Sequence, residues 1–186
     1  MTSTTVPNTT VPNTIFLDLD GVLADFDEGF RRLSGVTPTE FKETRSDGAM
    51  WKLINATKRD TFFRGLPLFD LGRKFFESVR DFANYQGWGL EILTACPKSN
   101  YTSVALQKKA WVAEHLCPEL RVLCVPGGRN KFLFLNKKGD ILIDDHLRNL
   151  VPWKEEGGEA IHHQGCYMTT LQTLASNPAE WQTRFL

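Results

Sequence analysis

Four short apolar runs, each ending on a polar or glycine-containing cluster, constrain this chain more than any other feature of it. Thr14–Leu19 (TIFLDL) runs into Asp20 and Gly21, and Leu90–Leu93 (LEIL) stops at Thr94. Arg121–Val125 (RVLCV) stops at Pro126-Gly127-Gly128, and Asp140–Ile143 (DILI) stops at Asp144-Asp145. A fifth, weaker run is Glu159–His162. Runs of this length and composition, bounded by turn residues, read as buried strands. Helical patterns lie between them. Arg73–Asn84 carries Phe75, Phe76, Val79 and Phe82 on one face, and Tyr101–Leu116 carries Val104, Leu106, Ala110, Trp111 and Leu116. Strands alternating with helices imply right-handed crossovers and a parallel sheet, so the expected fold class is α/β. Ligands of such sheets sit at the carboxyl ends of the strands, where the polar residues of interest fall.

The spacing between runs is uneven. Asp18 and Thr94 are 76 residues apart, whereas one strand-helix-strand step needs about 30 or a little more. The surplus, about residues 26–69, is helix-compatible and punctuated at Ser34-Gly35, Thr37-Pro38, Asp47-Gly48 and Gly65-Leu66-Pro67. It reads as a small helical cap inserted after the first strand, with residues 14–25 and 70–186 forming the core domain. Residues 1–13 repeat TTVPN in tandem and offer nothing to bury, so a disordered tail is expected there.

Composition excludes several function classes. The chain has 186 residues, with 22 Lys+Arg balanced by 22 Asp+Glu. That balance argues against bulk nucleic-acid binding and requires any phosphate recognition to come from a local site. No apolar run approaches the ~18 residues of a membrane span, and the first dozen residues lack a signal-peptide pattern, so a cytoplasmic protein with no membrane partner is expected. Cys96, Cys117, Cys124 and Cys166 form no C-x-x-C pair and read as reduced thiols.

The chemistry lies at the strand ends. Asp18 and Asp20 flank Leu19, so their side chains leave the backbone on the same side. Two carboxylates that close are tolerated when one is protonated or a cation sits between them. Asp144-Asp145 ends another strand at the same sheet edge, and three or four carboxylates there make a hard-oxygen Mg²⁺ site. Thr94 offers a hydroxyl and Lys131 a point positive charge, which phosphate oxygens favour. One aspartate can attack phosphorus while the second protonates the leaving oxygen and later activates water. Lys137 and Lys138 are rivals for the role of Lys131. His146, His162 and His163 have no partner pattern and read as surface or supporting residues.

These motifs, Asp18-Leu19-Asp20-Gly21, then Thr94, Lys131 and Asp144-Asp145, resemble in order those of the haloacid dehalogenase-like phosphohydrolases. The likeness extends to the 5′(3′)-deoxyribonucleotidases through DLDGVLADF (Asp18–Phe26), FFRGLPLF (Phe62–Phe69), KKAWV (Lys108–Val112) and DILIDD (Asp140–Asp145). It implies a three-layer Rossmann-like sandwich and a phosphatase that hydrolyses deoxyribonucleoside monophosphates through an aspartyl-phosphate. It further implies Asp18 as nucleophile and Asp20 as general acid/base. Mg²⁺ would rest on Asp18, the Asp20 carbonyl and Asp144, with Asp145 behind. Phosphate would be held by Thr94, Lys131 and the backbone of Leu19 and Ala95. Ala95 departs from the serine common at its position. Phe26, Trp51, Phe62 and Phe63 would sandwich a pyrimidine base, or else hold the insert's own core, and Arg129 would either reach the substrate or form a salt bridge. Other small phosphoesters, a polynucleotide end, or a silent binding protein on the same scaffold are the competing readings, and a homodimer is compatible with all of them.

Overall fold

The computed structural model describes residues 11–56 and 61–176. Five strands, β1 (Thr14–Leu17), β2 (Gly89–Cys96), β3 (Val122–Pro126), β4 (Ile141–Asp144) and β5 (Glu159–His162), form one sheet in the order β3-β2-β1-β4-β5. All four pairings are parallel. The expected α/β class with a central parallel sheet is what the chain adopts.

Side-chain alternation along the strands divides the interior into two layers. Ile15, Leu17, Ile92, Ile141 and Ile143 face one way, onto Phe75, Phe76, Val79 and Phe82 of α4 (Gly72–Gln86), Trp111 and Val112 of α5 (Tyr101–His115), and Leu174 of α7 (Tyr167–Ala175). Phe16, Leu93, Val125 and Leu142 face the other way, onto Leu150 and Trp153 of α6 (Leu147–Glu155). The result is a three-layer sandwich whose two hydrophobic layers differ greatly in size.

Residues 26–55 hold three helices, α1 (Phe26–Ser34), α2 (Pro38–Thr44) and α3 (Asp47–Asn55). Their boundaries follow from capping chemistry. Asp25 accepts from the Glu28 N–H, Ser46 accepts from the Ala49 N–H, and Thr37 with Glu40 forms a reciprocal capping box ahead of Pro38. Gly35 ends α1 in the left-handed conformation at φ 83°. Phe30 meets Phe41 edge-on at 5.2 Å. Phe30, Phe41, Met50, Ile54, Phe63 and Leu66 belong to the same apolar cluster as the α4 and α5 side chains, so the inserted helices do not enclose a separate core. Trp111 Nε1 donates to the Leu66 carbonyl at 2.7 Å, and the Phe63 N–H donates to Gln107 Oε1 at 3.0 Å.

The structure departs from the sequence expectation in four places. Strand β2 runs through Thr94 to Cys96 because β3 accompanies it as far as Pro126, so Thr94 is inside the strand rather than past its end. Lys131 is carried on a 3₁₀ segment, Gly128–Phe134. Helices α6 and α7 were not foreseen: Pro152 interrupts the pattern of the first, and the second is rich in threonine. Of the stretch expected to be disordered, residues 1–10 lie outside the described residues, while Asn13 is anchored, its Nδ2 donating to the Gly139 carbonyl and its carbonyl accepting from Gly89. Among the described residues no helix is long and apolar enough to cross a membrane.

The start of β1 and the approach to β4 are joined by one buried carboxylate. Asp140 accepts from the backbone N–H groups of Thr14 (2.8 Å), Asn136 (3.0 Å) and Lys137 (3.1 Å). Removing an acceptor that serves three donors leaves groups unpaired. Asp140→Ala should therefore lower the unfolding free energy by about 3 kcal/mol and Asp140→Asn by about 1 kcal/mol in urea titrations. Equal effects from the two variants would show that the three N–H groups find other partners.

Candidate active site

The carboxyl ends of β1, β2 and β4 open into a cavity of about 800 Å³ beneath α1–α3. Asp18, Asp20, Ala95 and Asp145 line its floor, and Phe26, Met50, Trp51 and Phe63 line its roof. Two fully buried lysines organise the floor. Lys131 Nζ lies 2.8 Å from Asp18 Oδ1 and 2.6 Å from Asp144 Oδ2. Lys108, from α5, places its Nζ 2.6 Å from Asp20 Oδ2, 2.8 Å from Thr94 Oγ1 and 2.7 Å from the Ala95 carbonyl. Each aspartate of the D-x-D pair thus has its own ammonium group.

Two glycines permit this crowding. Gly21 turns at φ 80°, and a Cβ there would stand 2.4 Å from Asp145 Oδ2. A Cβ on Gly128 would stand 2.4 Å from Asn149 Oδ1. Asn149, from α6, donates through Nδ2 to both Asp144 oxygens at 3.0 Å, and the His146 N–H donates to Asp144 Oδ1 at 2.8 Å.

One ammonium group among three carboxylates sets the protonation pattern. Burial, reinforced by the charges of Asp144, Asp145 and Asp20, pushes the Asp18 carboxyl up to about 8 against the pull of Lys131. Burial works against the charge on Asp144 too, but Lys131, His146 and Asn149 outweigh it and hold that carboxyl below its ordinary value. Burial also raises Asp145. Lys131 stays charged, because Asp18 and Asp144 together overcome its own desolvation.

Carboxylate oxygens of Asp18, Asp144 and Asp145 lie within 4.8 Å of one another, a spacing that could hold a metal ion. Asp145 Oδ1, Asn149 Oδ1 and Asp20 Oδ1 are buried without a hydrogen-bond partner, so oxygen donors await a ligand on this floor. An all-oxygen set of this kind suits a hard divalent cation. Asp145, expected behind the ion, is one of the three carboxylates. Both oxygens of Asp144 already accept protein donors, whereas one oxygen of Asp145 is free.

Other expected residues divide between the cavity and the interior. Thr94 is fully buried beside Lys108, and Ala95 lines the cavity. The Leu19 N–H is already donated to Asp18 Oδ1 at 2.7 Å, so it serves the aspartate rather than standing free for phosphate. Phe26 is the hub of the aromatic group, with ring centroids 6.3 Å from both Trp51 and Phe63 and 5.5 Å from Phe62. Phe62 is not among the cavity-lining residues and packs behind Phe26. Arg129 is exposed on the 3₁₀ segment and does not line the cavity, whereas Arg148 does. Lys137 donates to the Val11 carbonyl and Lys138 lies along Gly157, both away from the carboxylates. His162 bonds the Asp145 carbonyl at 2.9 Å, and His163, buried and cavity-lining, bonds Thr170 Oγ1 at 2.8 Å.

Lys108 and Asn149 were not assigned roles from the sequence. Lys108 had a signal: it continues the buried face of α5, four residues after Val104 and three before Trp111. A lysine on an apolar stripe must find acceptors inside. Asn149 had none, because its helix was not recognised.

The chain has the haloacid dehalogenase-like fold. Fifty-six chains of solved structures match it. A haloacid dehalogenase-like hydrolase from Streptococcus pneumoniae superposes with a TM-score of 0.51 at 14% identity, covering 90% of this chain and 99% of that one. A dehalogenase described with an intermediate complex gives 0.51 at 12%, covering 89% and 96%. A haloacid dehalogenase-like hydrolase from Xanthomonas campestris gives 0.50 at 10%, covering 82% of each chain. No protein-family model matches the sequence, and no curated protein matches it.

The raised Asp18 carboxyl makes cation binding pH-dependent. An unfolded aspartate titrates near 3.9, so this group favours the fold while protonated, and that contribution is lost as pH rises from about 4 towards about 8. A cation that displaces the proton restores it. The cation-free protein should melt at a lower temperature at pH 8 than at pH 6, and Mg²⁺ should raise the melting temperature more at pH 8. Scanning calorimetry of the wild type and Asp18→Asn checks both, since the variant should lose most of the pH dependence.

Proposed function

We propose that this protein is a Mg²⁺-dependent phosphatase that hydrolyses deoxyribonucleoside monophosphates through an aspartyl-phosphate. The observation that carries this reading is the D-x-D pair at the cavity floor, with Lys131 on Asp18 and Lys108 on Asp20. Asp18 Oδ1 accepts from Leu19 and Lys131, while Oδ2 has no protein donor among the described residues and is the oxygen available for attack. That oxygen forms a bond to phosphorus as the bond to the leaving oxygen breaks. The electron pair goes to the leaving oxygen, which takes a proton from Asp20. Asp20 then takes a proton from water as the water's oxygen displaces Asp18, releasing phosphate.

Lys131 and the Thr94 hydroxyl, both fully buried and neither among the cavity-lining residues, would hold the phosphoryl oxygens from behind the floor. Asp18, Asp144 and Asp145 would hold Mg²⁺, with the Asp20 carbonyl that the family resemblance implies. When bound, the ion supplies charge neutralisation and orientation for the phosphate. The dehalogenase likeness supplies a second class to weigh. A halide leaves without a proton, so carbon–halogen hydrolysis would ask Asp20 only for a base toward water and never for an acid. The phosphoryl reading uses Asp20 in both directions.

The substrate class rests on the roof. A cavity of about 800 Å³ accommodates a nucleotide-sized ligand. Phe26 and Trp51 are half-buried and line it, offering faces to a base. The balanced net charge disfavours polynucleotide ends.

A screen with Mg²⁺ over nucleoside monophosphates, sugar phosphates and 5′-phosphorylated oligonucleotides tests the reading. Deoxyribonucleoside monophosphates should give the highest kcat/KM, and Asp18→Asn should retain less than a few per cent of wild-type kcat while remaining folded. A wild type that turns over no phosphomonoester would refute it.

Base stacking contributes ~1–3 kcal/mol. Phe26→Ala should therefore raise KM for dUMP or dTMP by roughly tenfold, the equivalent of ~1.4 kcal/mol, with p-nitrophenyl phosphate hydrolysis little changed. Parallel losses on both substrates would mean that Phe26 only holds the aromatic cluster together.

A further inference from the structure

Lys108 is a full positive charge with no solvent exposure, and burying it is costly unless every donor is used. An ammonium group has three N–H donors. Lys108 has three acceptors: Asp20 Oδ2 at 2.6 Å, Thr94 Oγ1 at 2.8 Å and the Ala95 carbonyl at 2.7 Å. Nothing remains on the nitrogen for a ligand. Phe63 closes the site from above, its ring centroid 5.0 Å from Nζ, within cation–π range.

The acceptors share this arrangement's consequences. Because Thr94 Oγ1 accepts from Lys108, its own O–H is left to donate elsewhere. Because Asp20 is gripped through Oδ2, its other oxygen, Oδ1, is distinguished from it, and that oxygen is buried with no partner. Asp20 itself lines the cavity with its side chain 27% exposed, so the grip on Oδ2 sets the orientation in which a ligand meets the carboxyl.

We propose that Lys108 is a positioning residue: it holds the Asp20 carboxyl in the orientation in which it exchanges a proton with the leaving oxygen, and it turns the Thr94 hydroxyl into a donor, without itself touching substrate. This rests on the phosphatase reading above. It gives α5, on the large apolar layer, a part in the reaction. Phe63, placed on Lys108, then supports the acid rather than serving as a free stacking surface.

The test uses Lys108→Met, which keeps the aliphatic stem and removes the three donors, and Lys108→Gln, which keeps polarity. Proton donation matters for the poor leaving group of a nucleotide and little for p-nitrophenolate. With Mg²⁺ present, both variants should lose about 100-fold in kcat on a nucleoside monophosphate and less than about tenfold on p-nitrophenyl phosphate. In an Asp20→Asn background the same substitutions should add less than about twofold, because residues acting as a unit are not additive. Inhibition by inorganic phosphate should shift by less than about threefold.

Equal losses on the two substrates, or phosphate inhibition weakened tenfold or more, would make Lys108 a phosphate ligand and overturn the proposal. Failure of both variants to show a cooperative thermal transition would also overturn it, by making the residue purely structural. A wild type with no activity on either substrate would defeat the phosphatase reading and this inference together. An active wild type with unselective Lys108 variants would defeat only the latter.

Discussion

The Lys131 ammonium group, buried between Asp18 and Asp144, is the interaction on which the rest of the site depends. It joins the carboxyl ends of the neighbouring strands β1 and β4, where Asp18, just past the one, and Asp144, at the end of the other, would otherwise be bare carboxylates. Desolvated like charges at this separation repel strongly. With one lysine among Asp18, Asp144 and Asp145, the site remains short of positive charge, and burial together with the neighbouring carboxylates raises the Asp18 carboxyl. On the proposed function, the same shortage suits the floor to a divalent cation and to the electropositive phosphorus of an ester. Structural neutralisation and chemical readiness are therefore one property of the site.

Elements with long, periodic apolar patterns were legible in the sequence. The five strand runs, α4 and α5 form close to their expected boundaries, because alternation and a wide apolar stripe leave few other ways to bury those side chains. The residues Asp18, Asp20, Thr94, Lys131 and Asp144 could be anticipated as neighbours because a parallel sheet brings its carboxyl ends together. What the sequence hid depends on a third dimension. Thr94 looked terminal because LEIL ends before it, yet pairing with β3 carries β2 two residues further. Arg129 and Phe62 looked well placed by proximity in the chain, but the one is exposed outside the cavity lining and the other packs behind Phe26.

The two lysines show the same contrast. Lys131 was legible because it follows a strand end within a turn, a position where a charge is expected to act. Lys108 lies mid-helix among apolar residues, and only the sheet beneath it reveals that Asp20, Thr94 and Ala95 are within reach. A buried charge with three acceptors contributes little net stability compared with an apolar side chain of equal volume. On the reading above, its value lies in holding the Asp20 carboxyl and leaving the Thr94 O–H to donate elsewhere.

The inequality of the two apolar layers has a consequence for how this protein would fail. The α6 side is sealed by a small cluster around Phe16, Leu142, Leu150 and Trp153, yet α6 supplies Asn149, which grips both oxygens of Asp144. Any loosening of α6 alone would free Asp144 from its amide and unbalance the carboxylates beneath while the larger layer still held. On the proposed function, activity would then be lost before the main core melts, and the smaller layer would set the range in which the protein works.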